Sequence, residues 1–454
     1  MTVPAPDAPA SSDPTALLRD RRYLFFLLLG VIVGVPIAAF SYFFMQTISL
    51  GGQFFYTDLP LHLGFHGEPP WWPVLPLTVC GVLVALVIRY LPGTGGHSPA
   101  DGFHPAGATP TIELPGILLA ALLTLCLGPV LGPEAPLIAL GSGIGVLVLH
   151  FVKRDAPATA SLVVGAAGSF AAISVILGSP ITAAFLLMEA SGLGGAMLSM
   201  MLVPGLLAAG IGSLIFVGLD SWTGFGTFTL SLSPIPHVAP PNGAEFLWAI
   251  GIGLASALLG AAIRRSAVVV RSVVAPRMIL LMPVLGLAIA GLAIGFAEAT
   301  GKPSNTVLFS GQFSLPSLLQ HSASWTAGAL VLLLVCKGLA YALSLSSFRG
   351  GPIFPALFVG AAGGLALSHG PGLPAISGAA MGMGAMAVAM LGLPLVSVLL
   401  PVLFLSADAA PLMPLVIVAV VVSYVASAHL APRPAPAAAP TTPNEPTPEG
   451  APAG

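Results

Sequence analysis

A chain of 454 residues in which 56% are hydrophobic and 7% charged is not a soluble domain, which carries about 25% charged residues. It reads as an all-α membrane protein with many spans. The net charge of −2 argues against a nucleic acid partner. Cys80, Cys126 and Cys336 stand far apart inside apolar stretches. They read as small buried hydrophobes, with neither a disulfide framework nor a zinc-ligand spacing, and no cofactor is implied. The 54 glycines and 45 prolines fall inside the apolar stretches as well as between them. Broken and re-entrant helices fit that pattern better than a bundle of full spans.

Residues 1–22 form an arm whose Pro, Ala, Ser and Asp content reads as disorder. Arg19, Arg21 and Arg22 at its end place it in the cytoplasm. A first span is expected from Tyr23 to about Phe44, at roughly 20 residues per crossing. Polar and aromatic sequence follows over 51–73, with Tyr56, Trp71 and Trp72 suited to the outer headgroup level. Further apolar segments are expected at about 74–88, 114–130, 134–152, 161–177, 180–190 and 196–217. Residues 219–245 make a Pro-rich polar connection at the midpoint. A span from about Phe246 to Ile263 then leads to Arg264, Arg265, Arg271 and Arg277, read as a cytoplasmic loop. Further spans are expected over about 278–298, 325–345, 353–367, 376–392, 394–406 and 412–428. Residues 429–454 form a Pro/Ala-rich disordered tail.

Gly128-Pro129-Val130-Leu131-Gly132-Pro133-Glu134-Ala135-Pro136 sets one carboxylate among helix breakers at membrane depth. A charge there costs about 2.5–3.5 kcal/mol, so Glu134 is a functional candidate. The chain also echoes itself. Glycines follow Pro136 five and nine residues on, at Gly141 and Gly145, and follow Pro355 at the same spacings, at Gly360 and Gly364. Gly178-Ser179-Pro180 and Gly392-Leu393-Pro394 then recur in the same order. This predicts two repeats, 23–218 and 246–428. Gly/Pro-broken apolar segments at matching places in two halves point to a transporter binding site.

Helix starts inside a membrane expose unpaired N–H groups and the positive dipole end, which suits an anion. Three such starts are expected, near Gly95–Pro99, Gly132–Pro136 and Gly350–Pro355. Glu134 beside them competes with the transported anion, and its protonation removes the competitor.

Gly132-Pro133-Glu134-Ala135-Pro136 resembles the G-K/R-E-G-P motif of the CLC chloride channels and chloride/proton exchangers. Gly351-Pro352-Ile353-Phe354-Pro355 is similar to their G-x-F-x-P motif, and Gly95-Gly96-His97-Ser98-Pro99 to a weaker G-S-G-I-P. The likeness spans about residues 24–428. It implies two inverted repeats of tilted and re-entrant helices, a homodimer with one pore per subunit, and Glu134 as the gate. The anion-binding set it implies is Ser98, Gly96, Gly132, Pro133, Gly351, Ile353 and Phe354. Pro352 has no N–H, so the amides there belong to Ile353, Phe354 and Gly351.

The departures are specific. Gly96 stands where the family offers a serine hydroxyl, with Ser98 and Thr94 as substitutes. Pro133 replaces a basic residue. Ala190 stands at the place of the exchangers' second glutamate, and Glu189, one residue earlier, reads either as a carboxylate at a helix end or interface or as the candidate for a proton path. The family's pore tyrosine lacks a counterpart, Tyr424 being the nearest substitute. Lys337 and Arg349 read either as charges that attract an anion or as a lysine that pairs with a carboxylate or snorkels and an arginine that caps a loop. His97, Asp101 and Glu113 read as loop residues.

The reading is transport of chloride or a similar small anion, leaning to a channel or loose coupling because Ala190 and the tyrosine depart from the exchangers. The alternative is a chloride/proton antiporter. A cation-coupled secondary transporter would need more buried carboxylates. No nucleophile–base pair or metal motif supports an enzyme. The expected partners are the anion, protons and the lipid bilayer, in a cell membrane.

Overall fold

The computed structural model describes residues 21–103, 107–192, 195–224, 240–405 and 407–431. Most of the amino-terminal arm, the centre of the midpoint connection and nearly all of the tail therefore lie outside the described residues.

The longest apolar runs become the long helices, and Pro36, Pro204 and Pro283 are carried inside three of them. The long helices are α1 (Arg21–Gln53), α4 (Glu134–Val152), α5 (Ala158–Leu177), α7 (Gly195–Thr223), α8 (Gly243–Val274), α9 (Met278–Thr300), α11 (Ala327–Ser347) and α15 (Met413–Leu430). Between them lie shorter apolar helices: α2 (Val74–Tyr90), α3 (Leu114–Leu127), α6 (Pro180–Ser191), α12 (Ile353–Leu367), α13 (Ala375–Leu391) and α14 (Pro394–Leu405). A small polar-ended helix, α10 (Leu315–Gln320), precedes α11. At 1.5 Å per residue, a 12-residue helix such as α6 or α14 cannot cross a hydrocarbon core of about 30 Å. Seven helical stretches among the described residues are long and apolar enough to do so. The protein is an all-α, multi-pass membrane protein.

The repeat is visible in the packing. α4 lies against α5 as α12 lies against α13. The glycines five and nine residues after each motif proline make these contacts. A Cβ on Gly141 would meet the Gly168 carbonyl at 2.3 Å, and one on Gly360 the Gly382 carbonyl at 2.2 Å. Gly145 meets Val164 and Gly364 meets Gly378 in the same way. Close backbone approach through small residues replaces the hydrophobic effect as the reason for helix contact inside lipid. Gly178 and Gly392 then end α5 and α13 at φ 62° and 71°, in the left-handed region that glycine tolerates.

Several expected boundaries are corrected. Arg264, Arg265 and Arg271 lie on a helix, not in a loop, because α8 runs 32 residues from Gly243 to Val274. No Gly or Pro interrupts the sequence between Ile263 and Ala275, and the turn waits for Pro276 in a short 3-10 segment, Ala275–Arg277. α1 likewise continues through a π turn, Phe54–Asp58, and a last turn, Leu59–His62. Trp72, expected at a headgroup surface, is buried and donates its indole N–H to the Phe55 carbonyl at 2.8 Å. The polar midpoint connection begins later than expected, since α7 extends to Thr223.

The largest correction concerns Gly95–Pro99. No long helix starts there. Gly93, Thr94, Gly95 and Gly96 all have positive φ, at 82°, 49°, 69° and 89°. That run reverses the helical hand; it overlaps a short 3-10 turn, Pro92–Gly95, and a second one, Pro99–Asp101, follows it. Two helix starts, not three, converge on the centre.

Candidate functional site

The motif loops of the two repeats pair with each other. Gly132 N–H donates to the Gly351 carbonyl at 2.8 Å, and Gly351 N–H to the Gly132 carbonyl at 2.5 Å. This isolated antiparallel bridge joins the two starts, with α4 beginning at Glu134 and α12 at Ile353. Both helix N-termini therefore lie at one point, and their dipoles add there.

Glu134 occupies that point and is fully buried. Its Oε1 accepts the Phe354 N–H at 2.8 Å. Oε2 has no partner. The two glycines make this possible: a Cβ on Gly351 would stand 1.8 Å from Oε2, and one on Gly132 would stand 2.4 Å from it. The carboxyl group is thus held by a backbone amide at the junction of two helix starts, the arrangement that suits a free anion. The Gly132 and Gly351 amides are spent on the bridge, and of the amides expected at the site it is Phe354 that holds the carboxylate. Pro133 and Pro352 are the N-caps of α4 and α12.

Two cavities meet this region. One, of about 440 Å³, runs along the first turns of α4 and is lined by Gly96, His97, Glu113, Ala135, Pro136 and Arg349. The other, of about 220 Å³, lies at the approach to α4 and is lined by Tyr56, Leu131, Pro133, Asn305, Phe309 and Ser310. Glu134 lines neither and sits in the chain between Pro133 of one and Ala135 of the other. Ser98 follows the left-handed turn, and its Oγ is buried without a partner.

α11 supplies a feature that the sequence reading did not assemble. Lys337, Tyr341 and Ser344 stand at i, i+4 and i+7, one face of a helix. Lys337 Nζ donates to the carbonyls of Thr306, Val307, Leu308 and Phe309 at 2.9–3.2 Å. Tyr341 donates its hydroxyl to the Pro352 carbonyl at 2.7 Å. Ser344 Oγ accepts the Val130 N–H at 2.9 Å. One polar stripe therefore pins both motif loops and the 306–309 segment. Its spacing was the available signal, but only the lysine drew attention as a charge.

Lys337 thus neither snorkels nor pairs with a carboxylate; it is fully buried on carbonyls. Arg349 donates to the carbonyls of Thr94, Ser347 and Phe348 and lines the larger cavity. Asp101 forms an ion pair with Arg271. Glu189 accepts the N–H groups of Leu395 and Val396 at 2.8 and 2.9 Å, so it caps α14 from α6. In the first repeat Ser179 caps α6 itself, accepting from Thr182 at 3.2 Å. Leu393 at the matching place cannot do so, and Glu189 substitutes. Ala190 packs against the core. Tyr424 is 42% exposed on α15, away from the motif loops.

A helical membrane fold whose two repeats meet at a carboxylate on paired helix starts defines a transport protein with a central anion-like ligand. The family model described as voltage gated chloride channel matches residues 12–203 and 100–428, and the chain belongs to this CLC family. The putative ion-transport protein YfeO of Salmonella choleraesuis (strain SC-B67) is 34% identical over 369 residues, 79% of this chain and 84% of that protein. YfeO of Salmonella newport (strain SL254) is 33% identical over the same length. Among solved structures, a slow cyanobacterial Cl−/H+ antiporter superposes with a TM-score of 0.73 at 18% identity, covering 90% of this chain and 95% of that one. A CLC-type fluoride/proton antiporter gives 0.65 at 19% identity, covering 89% and 95%. At these identities the structural likeness speaks for the fold.

Proposed function

We propose that the protein moves chloride, or a similar small monovalent anion, across a cell membrane through a path gated by Glu134. The observation that carries this reading is the Glu134 carboxylate on the Phe354 amide, one oxygen bonded and the other without a partner. An anion binding between the cavities competes with that carboxylate for the amides of Ile353 and Phe354. Among the described residues no positive side chain bonds the Glu134 carboxylate, which suits the weak binding that fast passage needs. Gly96 contributes at the larger cavity, and Ser98, two residues on, offers a buried hydroxyl without a partner. The amides of Gly132 and Gly351 act indirectly, through the bridge, and Pro133 shapes the smaller cavity. The working unit is a homodimer with its amino terminus in the cytoplasm.

Two modes of transport follow from this site. Passive or loosely coupled flow is supported by Ala190 at the exchangers' second glutamate and by Glu189 being engaged as a helix cap. Proton-coupled exchange is supported equally well by two structural neighbours that are antiporters for chloride and for fluoride. In that mode Glu189 is the second carboxylate on the proton path.

Purified protein in chloride-loaded liposomes should release chloride when a potassium ionophore clamps the potential. Absence of flux would sink the reading. A reversal potential measured under a pH gradient separates the modes. A value at the chloride equilibrium potential means passive flow, and a shift away from it means exchange.

A further inference from the structure

The family resemblance expects a basic residue immediately before the gating glutamate. Here that residue is Pro133, which lines the smaller cavity with Leu131, Asn305, Phe309 and Ser310. The Lys337 amine nevertheless stands directly behind this wall. Lys337 Nζ bonds the Phe309 carbonyl at 3.2 Å, together with the carbonyls of the three preceding residues. It also lies 4.4 Å from the centre of the Phe358 ring. Phe358 is on α12, the helix whose first amides hold Glu134.

The charge is not cancelled. Among the described residues the one ion pair is Arg271–Asp101, and Lys337 faces only carbonyl dipoles and a ring. An ammonium has three protons for these four oxygens, so its donors are all used while its net charge remains. Burying such a charge is costly. A neutral side chain would tether a loop more cheaply. The loop is also bent to suit the lysine. Phe309 takes a left-handed φ of 57°, rare for a bulky residue, and its N–H ties back to the Gly128 carbonyl at 2.8 Å. The carbonyls thereby converge on the ammonium while the Phe309 ring faces the cavity.

We infer that Lys337 supplies, from behind the wall of the smaller cavity, the fixed positive charge that position 133 lacks, and so sets the affinity of that approach for anions. It is a positioning and specificity-determining residue that need not touch the ion. A charge of one sign beside a cleft with low-dielectric walls raises the local counter-ion concentration by about tenfold or more. The inference rests on the anion-transport reading above.

The test compares half-saturating chloride for flux in proteoliposomes made from the wild type and variants. Lys337→Met removes the charge and keeps the stem. It should raise the half-saturating concentration about tenfold, whereas Lys337→Arg should stay near the wild type. Adding Pro133→Arg to Lys337→Met, which restores charge at the family's position, should recover most of the affinity. A purely structural tether predicts less active protein with unchanged half-saturation, and that result would overturn the inference. So would failure of both Lys337→Met and the double variant to give monodisperse protein, which assigns the lysine to the fold alone. Wild-type protein without flux would sink the transport reading itself, a separate outcome from wild-type flux with an indifferent lysine.

Discussion

Glu134 and Phe354 lie 220 residues apart in sequence and meet through one hydrogen bond, the Phe354 N–H to Oε1 at 2.8 Å. The bond crosses between the repeats, so the carboxylate of the first repeat is latched by the helix start of the second. A carboxylate is released from such a latch when it is protonated or when an anion takes the amide. Glu134→Gln keeps an oxygen that can accept from Phe354 but removes the titratable group. Chloride flux in liposomes should then lose most of its pH dependence, and any proton movement measured with a pH electrode should disappear. A pH profile identical to the wild type would remove Glu134 as the gate.

The bridge between Gly132 and Gly351 gives a sharper structural test. A Cβ at residue 351 would sit 1.8 Å from Glu134 Oε2, closer than any real contact. Gly351→Ala must therefore displace the carboxylate or strain the bridge, at about 1–3 kcal/mol for overpacking of this kind. Glu134→Ala deletes the clashing atoms. Thermal unfolding in detergent should show Gly351→Ala destabilised alone and largely relieved in the Gly351→Ala/Glu134→Ala double variant. The coupling expected for residues in direct contact is about 0.5–3 kcal/mol. Additive effects would mean that the carboxylate does not occupy the bridge pocket.

Glu189 separates a cap from a proton carrier. Its two oxygens accept the first free N–H groups of α14, where a carboxylate also meets the positive dipole end. Glu189→Gln keeps one acceptor, while Glu189→Ala removes the cap at a cost of about 0.5–2 kcal/mol. If capping is its role, Glu189→Ala lowers the unfolding temperature and Glu189→Gln transports with unchanged proton stoichiometry. Loss of proton movement in a stable Glu189→Gln protein would instead make it part of the proton path.

Much of this was legible from residue type and spacing. Glu134 stood out as a charge where charge is expensive. The glycines after Pro136 and Pro355 marked the repeat and turned out to be its close helix contacts. Other features depend on pairing between segments far apart, which spacing along one strand of sequence does not encode. The Gly132–Gly351 bridge is of that kind, and so is the capping of α14 by Glu189. The Gly95–Pro99 segment failed for a different reason. Gly-rich sequence followed by proline suits a helix start and a left-handed turn alike, and four consecutive positive φ values decided for the turn. In α8 the basic residues were taken for a boundary, although charge alone does not stop a helix and no Gly or Pro lies between Ile263 and Ala275.

Glu68 gives a pH test away from the membrane-spanning segments. It lies between α1 and α2, and Ser304 donates its hydroxyl to Oε1 at 2.5 Å. Burial pushes its carboxyl pKa above the usual range, and the Ser304 bond opposes the rise in part. The folded protein therefore favours the protonated form. A raised carboxyl pKa contributes stability that is complete below the unfolded value and is lost as pH rises through the folded value. Glu68→Gln is neutral at every pH and keeps an oxygen for Ser304. Its stability advantage over the wild type should be small in acid and grow towards neutral pH, as read by unfolding temperature in detergent. Ser304→Ala removes the opposing bond and should move that divergence to higher pH. A gap that does not change with pH would show that Glu68 is ionised freely in the folded state. Because Ser304 opens the segment that Lys337 holds at 306–309, this outer clamp also fastens one wall of the smaller cavity. Loosening it by deprotonation should therefore reach Asn305 and Phe309, which face the approach to Glu134.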